Sequence, residues 1–305
     1  MSFDGRDLRA FLAVADCGSL GRAAHVVNMT QPSLSRRIHE LELRLGGPLF
    51  ERHSKGMALT PSGEVLLDHA RLLVFEMEQA EQAVASLNGM RRGKLRLGAV
   101  AALCRSIVPQ ALAALAREAP DIAIDLLEAP DSELAEALLD RRLDLVLATE
   151  MLKNEEIEAI APLPLRDRFV PCSRIGNALV DPATTALDEV LACPWVMLRR
   201  GRTPRQLFED LVAGAGRKLP KIAVETNSVG AQIAMVANSD MLGWLPMRLV
   251  ADQVGAGILQ VHPVAELTLE RRFWIYRRRR TVLGKPAQLV LRHFELSADR
   301  AGGEA

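Results

Sequence analysis

Through the first third of the chain, apolar residues recur with a helical period. Leu8, Phe11, Leu12 and Ala15 follow the i, i+3, i+4, i+7 template and predict a helix ended by Cys17-Gly18. Ser19 is placed to cap a short second helix through Arg22 to Val27, and Asn28-Met29 makes a turn. A third helix starts at Thr30. Its apolar residues Leu34, Ile38, Leu41 and Leu45 are spaced four, three and four apart and stay on one narrow stripe. Pro32, Arg36 and His39 point the other way, flanked by Ser33, Ser35 and Glu40. Thr30 caps this helix, and a proline in the first turn gives up an N–H that has no helical partner. A helix terminus, short side chains and guanidinium groups suit close approach to phosphates and base edges; an ordinary solvated face is the alternative. Three short helices with a tight turn between the second and third make a helix-turn-helix. The run Pro48 to Thr60 then predicts two short strands around Ser54-Lys55-Gly56, a wing with Arg52, His53 and Lys55 near its tip.

Thr60 and Pro61 open a long helix for which Gly89 is the expected stop. Leu66, Ala70, Leu73, Met77, Ala80, Val84 and Leu87 alternate spacings of four and three, a heptad seam. Packing on its own domain is one explanation. A second copy of the same helix explains a seam of this length better, with Leu66, Leu73, Met77 and Val84 as its contacts. A dimer presents two recognition helices, so its DNA site is expected to be an imperfect inverted repeat. Two linked heads also gain from effective concentration where one would bind weakly.

After Arg91-Arg92 the period changes. Strands are expected at 94–98, 122–127 and 143–148, separated by helices at 107–119 and 132–139. The pattern returns with strands at 195–198, 222–226 and 242–246 and helices at 203–213 and 228–236. Strand–helix alternation of this kind predicts two parallel α/β lobes and a cleft between them. Four places are candidates for lining it. The loop after the first strand carries Val100, Ala101 and Ala102, mostly apolar, where backbone N–H groups remain to serve a ligand. Arg199, Arg200 and Arg202 precede a helix with Thr203 as its expected cap, an arrangement suited to an anion or to a solvated loop. Asn227 and Ser228 cap the next helix and are in reach of a ligand, although capping alone accounts for them. Phe169 to Cys172 are expected near the crossing between lobes, with Cys172 in the core.

Composition narrows the function. At 305 residues the chain has room for two domains, 49% of it is hydrophobic, and its formal net charge is zero. Any DNA-binding signal is therefore local. Cys17, Cys104, Cys172 and Cys193 are scattered, which reads as reduced thiols without a metal. Asp4, Arg6, Asp7 and Arg9 interrupt any export signal, and no apolar run approaches the roughly 20 residues of a membrane span. A cytoplasmic protein with no membrane partner is expected. Arg277 to Arg280, following the alternating Phe273 to Tyr276, reads as the exposed end of a strand, with a nucleic-acid or acidic partner as the alternative. Gly302-Gly303 reads as part of a disordered tail.

The ordered set Gly18-Ser-Leu-Gly-Arg-Ala-Ala24, Thr30-Gln-Pro-Ser-Leu-Ser-Arg36, Leu41-Glu42, Leu45-Gly-Gly-Pro-Leu-Phe50, Arg52 and Leu59-Thr-Pro-Ser-Gly63 closely resembles the DNA-binding half of the LysR-type transcriptional regulators. Leu143-Asp144, Val224-Glu-Thr226 and Gly243-Trp-Leu-Pro246 anchor a looser resemblance to the effector half of that family, which is like a periplasmic solute-binding protein. The resemblance implies an α+β multidomain chain: a winged helix-turn-helix at 1–60, a linker and dimerisation helix at 61–90, and a two-lobed α/β effector domain at 91–305. Lobe I is expected at about 91–163 and 266–296, and lobe II at about 164–265. Gln31, Pro32, Ser33, Ser35 and Arg36 would face DNA with Arg52 and Lys55 on the wing; Thr30, Arg37 and His39 complete the expected interface. Thr30 and Ser33 replace the family's commoner serine and alanine. The effector set is Val100, Ala101, Ala102, Arg199, Arg202, Thr203, Asn227 and Ser228, for a small organic anion. The resemblance further implies a dimer of dimers, contact with RNA polymerase and frequent repression of the regulator's own promoter; neither catalysis nor a cofactor is expected. A thiol switch through Cys104, a catalytic α/β domain and a ligand-independent DNA-bending protein are the rivals. No P-loop, G-x-G-x-x-G, G-x-S-x-G or H-E-x-x-H supports the catalytic one.

Overall fold

A computed structural model describes residues 4–53, 56–87, 93–149, 154–181 and 186–301. The chain forms two compact units; the first runs to Gly93 and takes in the short segments Leu139–Arg142 and Leu283–Pro286. Lys55, Gly89, Arg91, Arg92 and the Gly302-Gly303 tail lie outside the described residues.

In the first unit, α1 (Gly5–Cys17), α2 (Leu20–Val26) and α3 (Gln31–Leu45) precede a hairpin of β1 (Phe50–His53) and β2 (Gly56–Leu59), and α4 (Pro61–Leu87) follows. Asp4 and Asp7 close a capping box on α1. Asn28, at φ 53°, turns the chain between α2 and α3. Ser19 precedes α2 as expected, but its side chain makes no capping bond. Phe11, Val14, Ala23, Leu34, Leu41 and Leu49 form a core into which Leu66, Ala70 and Val74 of α4 also pack. The expectation that Leu66 belongs to a dimer seam is corrected here. It is 8% exposed and sits in its own unit's core, whereas Leu73, Met77 and Val84 are 42%, 37% and 60% exposed. Two glycines fit backbone against backbone. A Cβ on Gly56, at φ +134°, would lie 2.4 Å from the Gly18 carbonyl oxygen, and one on Gly63 would lie 2.2 Å from that of Leu49.

The second unit begins with β3 (Gly93–Ala99), α5 (Ala101–Cys104), α6 (Ile107–Glu118), β4 (Ile122–Glu128), α7 (Asp131–Leu139) and β5 (Leu145–Thr149). It continues through β6 (Ile157–Arg174), α8 (Leu187–Ala192), β7 (Trp195–Leu198), α9 (Thr203–Gly214), β8 (Ile222–Thr226), α10 (Val229–Ala237) and β9 (Leu242–Pro246). It closes with α11 (Met247–Gly255), β10 (Leu259–Val261), β11 (Leu269–Arg278) and α12 (Lys285–Ala301). Among the described residues these strands make one sheet, in the order β4-β3-β5-β11-β6-β9-β7-β8, with β10 paired to β6. β3 and β5 are parallel, as are β7 with β8 and β7 with β9. Two parallel lobes are thus present, but an antiparallel pair joins them. β6 and β11 pair from Leu269↔Phe169 to Arg278↔Ile157 and carry the sheet from one lobe to the other.

Of the run Arg277 to Arg280, the last two residues are exposed as expected, but Arg277 is half-buried and Arg278 is buried. Arg277 pairs with Glu158 at 2.5 Å, and the buried Arg278 donates to the Leu138 and Leu143 carbonyls. Arg279 donates to the Glu155 carbonyl. Arg277, Arg278 and Arg279 fasten the end of β11.

Candidate nucleic-acid interface and effector cleft

In α3, the Thr30 hydroxyl accepts the Ser33 N–H at 3.3 Å, so the predicted cap is in place. Gln31, Pro32, Ser33, Arg36 and His39 are exposed, and Ser35 is half-buried. Arg36 is held along the helix by Glu40 at 3.0 Å, an exposed i,i+4 pair that leaves it mobile enough to change partners. On β1, Arg52 Nη2 lies 3.5 Å from Ser35 Oγ. Pro32, Ser35, Arg36, His39, Arg52 and Met57 line one shallow groove between the helix and the wing. Arg37 departs from expectation. It turns to Asp7 Oδ1 at 3.2 Å while Arg44 holds Oδ2 at 2.7 Å, so both brace α3 against α1. Glu42 has a related task, accepting the Leu49 N–H at 2.9 Å and the Phe50 N–H at 3.3 Å.

The second unit holds a cleft of about 460 Å³. It opens where β3, β7, β8 and β9 end and the following helices begin, the usual ligand position in α/β sheets. Val100, Ala101, Ala102, Arg202, Asn227 and Ser228 line it as expected. Arg199 and Thr203 are not among its lining residues. Arg199 is exposed, and the N-cap of α9 is Arg202, one residue earlier than expected. The Ser228 hydroxyl accepts the Ala231 N–H at 3.2 Å, so its capping role is present in the cleft wall.

Of the expected stretch Phe169 to Cys172, Phe169 lines the cleft, but sequence reasoning missed most of what surrounds it. Phe169 and Trp244 stack with centroids 4.3 Å apart, and the Trp244 indole N–H is spent on the Leu267 carbonyl at 2.7 Å. The cleft therefore meets hydrocarbon there, continued by Met197 and Leu249. Arg205 and Arg271 also line it. Arg205 bonds Glu209 at 2.6 Å and Glu225 at 3.3 Å. Arg271 bonds Asp167 at 2.7 Å and lies 4.6 Å from the Phe169 ring centroid and 5.1 Å from that of Phe273. Across the opening, Arg202 Nη1 meets Glu133 Oε1 of α7 at 2.5 Å. An apolar floor ringed by paired charges suits an amphipathic ligand.

Cys104, Cys172 and Cys193 carry no sign of activation. Burial pushes Cys104 up to about 12, with the Glu128 charge adding to it, and burial alone pushes Cys172 to about 12. Among the described residues no three His, Cys, Asp or Glu side chains gather as a metal site, and no helix is long and apolar enough to cross a membrane.

Comparison with known proteins gives both units a family. Residues 6–64 match the model of the bacterial regulatory helix-turn-helix protein, lysR family, and residues 88–297 match the LysR substrate binding domain. A Pseudomonas sp. (strain ATCC 19151) protein, the SDS degradation transcriptional activation protein, is 33% identical over 275 residues, covering 88% of this chain and 87% of its own. The HTH-type transcriptional regulator PcaQ of Agrobacterium fabrum is 28% identical over 263 residues, covering 85% and 83%. In fold, the chain is similar to full-length CbnR complexed with its target DNA, with a TM-score of 0.66 at 20% identity over 98% of this chain and 100% of that one.

Proposed function

The chain belongs to the LysR family of DNA-binding transcriptional regulators, and from that premise we propose that it binds an inverted-repeat operator as a homo-oligomer and answers to a small organic anion in its cleft. One observation carries the DNA half of this reading. The first turns of α3 and the wing residue Arg52 border a single groove, with Gln31, Pro32, Ser33, Arg36 and His39 open to solvent beside it. Gln31, Ser35, Arg36 and His39 are the side chains for base edges, and Arg52 is the one for the backbone, with Lys55 three residues further along the sequence. Arg37, engaged by Asp7, is left out.

Exposure of Leu73, Met77 and Val84 on one long helix supports the dimer, and a dimer of dimers is the further assembly proposed. Effector binding changes the closure of the two lobes and so biases the DNA-bound geometry; by reciprocity, the operator complex binds the favoured effector more tightly. Arg202 is the cleft cation for the anion, with Val100, Ala102 and Asn227 beside it. The relative named for SDS degradation adds alkyl sulfates, apolar chains with an anionic head, to the carboxylates worth screening. The protein is proposed to work in the cytoplasm, to contact RNA polymerase and to turn over no substrate. The raised thiols count against an oxidation switch.

DNase footprinting on the intergenic DNA upstream of its own gene, with wild type and Arg36→Ala at one fixed salt, tests the reading. An extended footprint over an inverted repeat, lost in the variant, is expected. If neither this DNA nor an unbiased genomic selection yields a protected site, the exposed face of α3 is only solvated. A footprint that no anion alters would identify a ligand-independent DNA-bending protein.

A further inference from the structure

The arginines of the cleft are neutralised in different ways. Arg205 is held by carboxylates of its own lobe, Glu209 of α9 and Glu225 of β8, and its side chain is 3% exposed. Arg271 is held by its register partner Asp167, whose side chain is fully buried, across the ladder of β11 and β6. Both pairs belong to the framework, since breaking them would leave a charge stranded inside. Arg202 differs. Its carboxylate comes from the opposite lobe: Glu133 stands in the first turn of α7, between β4 and β5, and Arg202 caps α9, between β7 and β8. The pair is also accessible, at 29% exposed for Arg202 and 53% for Glu133. An ion pair this open is screened and exchangeable. Arg202 is moreover a cation at the positive end of a helix, a position that favours an anion beside it at all times.

Resting on the effector reading above, we propose that Glu133 is a built-in competitor: its carboxylate clasps the lobes through Arg202, and an anionic effector binds by displacing it. Exchange of partners needs no new cation, because the incoming carboxylate or sulfate takes the hydrogen bonds that Glu133 gives up. Its consequence is that the cleft senses the effector as a competition. Apparent affinity is lowered by the fraction of molecules in which Glu133 occupies Arg202, and the displacement frees α7 from α9. A neutral ligand of the same shape gains nothing from Arg202 and leaves the clasp shut.

The test uses the full chain with sodium hexanoate, sodium benzoate and sodium hexyl sulfate as probes, 1-hexanol as the neutral control, and calorimetry as the readout. Glu133→Gln is expected to bind the anionic probes about three- to tenfold more tightly than wild type, Arg202→Gln to lose them, and hexanol to bind all three forms alike. Amide hydrogen exchange without any probe reports the clasp directly: Glu133→Gln raises exchange in the first turns of α7 and α9. The charge swap Glu133→Arg with Arg202→Glu restores protection there but not anion binding, which separates the clasp from a general loss of folding. Anion affinity equal in wild type and Glu133→Gln, with Arg202→Gln still deficient, overturns the displacement and leaves the anionic-effector reading standing. Unchanged exchange in Glu133→Gln overturns the clasp. Binding of the anions by neither wild type nor Glu133→Gln overturns both the displacement and the effector class.

Discussion

Glu42 Oε1 accepts the Leu49 N–H at 2.9 Å, so the recognition helix reaches past its own end to hold the start of the wing. The Phe50 N–H, at 3.3 Å, shares that oxygen. Glu42→Ala strands two partly buried donors, each worth about 1–3 kcal/mol when left without a partner. The expected result is a lower unfolding temperature and a weaker footprint, measured by calorimetry and titration of operator DNA. An unaltered melting profile would show that water replaces the carboxylate at no cost.

Arg52 and Gln31 should fail differently. Arg52→Ala is expected to weaken binding to operator and to unrelated DNA alike and to lower the salt slope by about one per bound head. Gln31→Ala is expected to reduce the difference between operator and unrelated DNA, by about 1–3 kcal/mol per base pair read, with the slope unchanged. Fluorescence anisotropy over a salt series distinguishes the two. Equal loss of slope in both variants would place Gln31 on phosphate.

Along α4, substitutions at buried and exposed apolar positions should have different readouts. Leu66→Ala removes a core side chain and is expected to cost about 2–5 kcal/mol of stability. Leu73→Glu with Val84→Glu places charge at exposed positions and is expected to leave the fold intact while producing monomers in sedimentation velocity. A dimer that survives the double variant would put the interface elsewhere.

Acid should loosen the second unit through His262. Its ring has no exposed surface and pairs with Ser173 Oγ at 2.9 Å. Burial lowers its pKa below the usual 6.5, against an opposing pull from Asp181. The unfolded chain therefore takes up a proton near the usual value while the folded chain does not. The stability that His262 contributes is complete above that pH and is lost as pH falls through it towards the lower folded value. The unfolding temperature is expected to drop as pH falls through the usual value of 6.5, with a smaller drop in His262→Gln. Parallel curves for the two proteins would assign the acid sensitivity to other groups.

Peroxide, finally, is expected to leave operator binding unchanged, and a chain with all four cysteines replaced by serine should keep its response to the effector. With Cys104 and Cys172 pushed up to about 12, little thiolate is present near neutrality. Loss of binding on oxidation, reversed by a reductant, would restore the thiol-switch reading.

The winged helix was legible because its signals are local. Thr30, Pro32 and the stripe from Leu34 to Leu41 specify α3 within a dozen residues. Arg37 was misread because it lies at the edge of that stripe and its partner Asp7 is 30 residues away. The joining strand β6 was missed for a different reason. Pro162, Pro164 and Pro171 interrupt its donors and argue against a strand, yet Pro162 sits opposite Trp274 and Pro171 opposite Trp244 in the sheet. The cleft suffered most. The Arg205–Glu209 spacing could have been noticed as an i,i+4 pair, but Asp167 and Arg271 are 104 residues apart and Glu133 and Arg202 are 69 apart. No periodicity connects such pairs; strand order does.

Gly56 of the wing and Gly63 of α4 have a consequence for inheritance. A side chain at Gly98 would meet Leu143, Leu134 and Val146, which a second mutation can trim. At Gly56 and Gly63 the obstacles are the carbonyl oxygens of Gly18 and Leu49, which every amino acid possesses. No change of side chain at Gly18 or Leu49 removes them. A genetic selection for suppressors of Gly63→Ala should thus return mostly true revertants, whereas one for Gly98→Ala should find second sites.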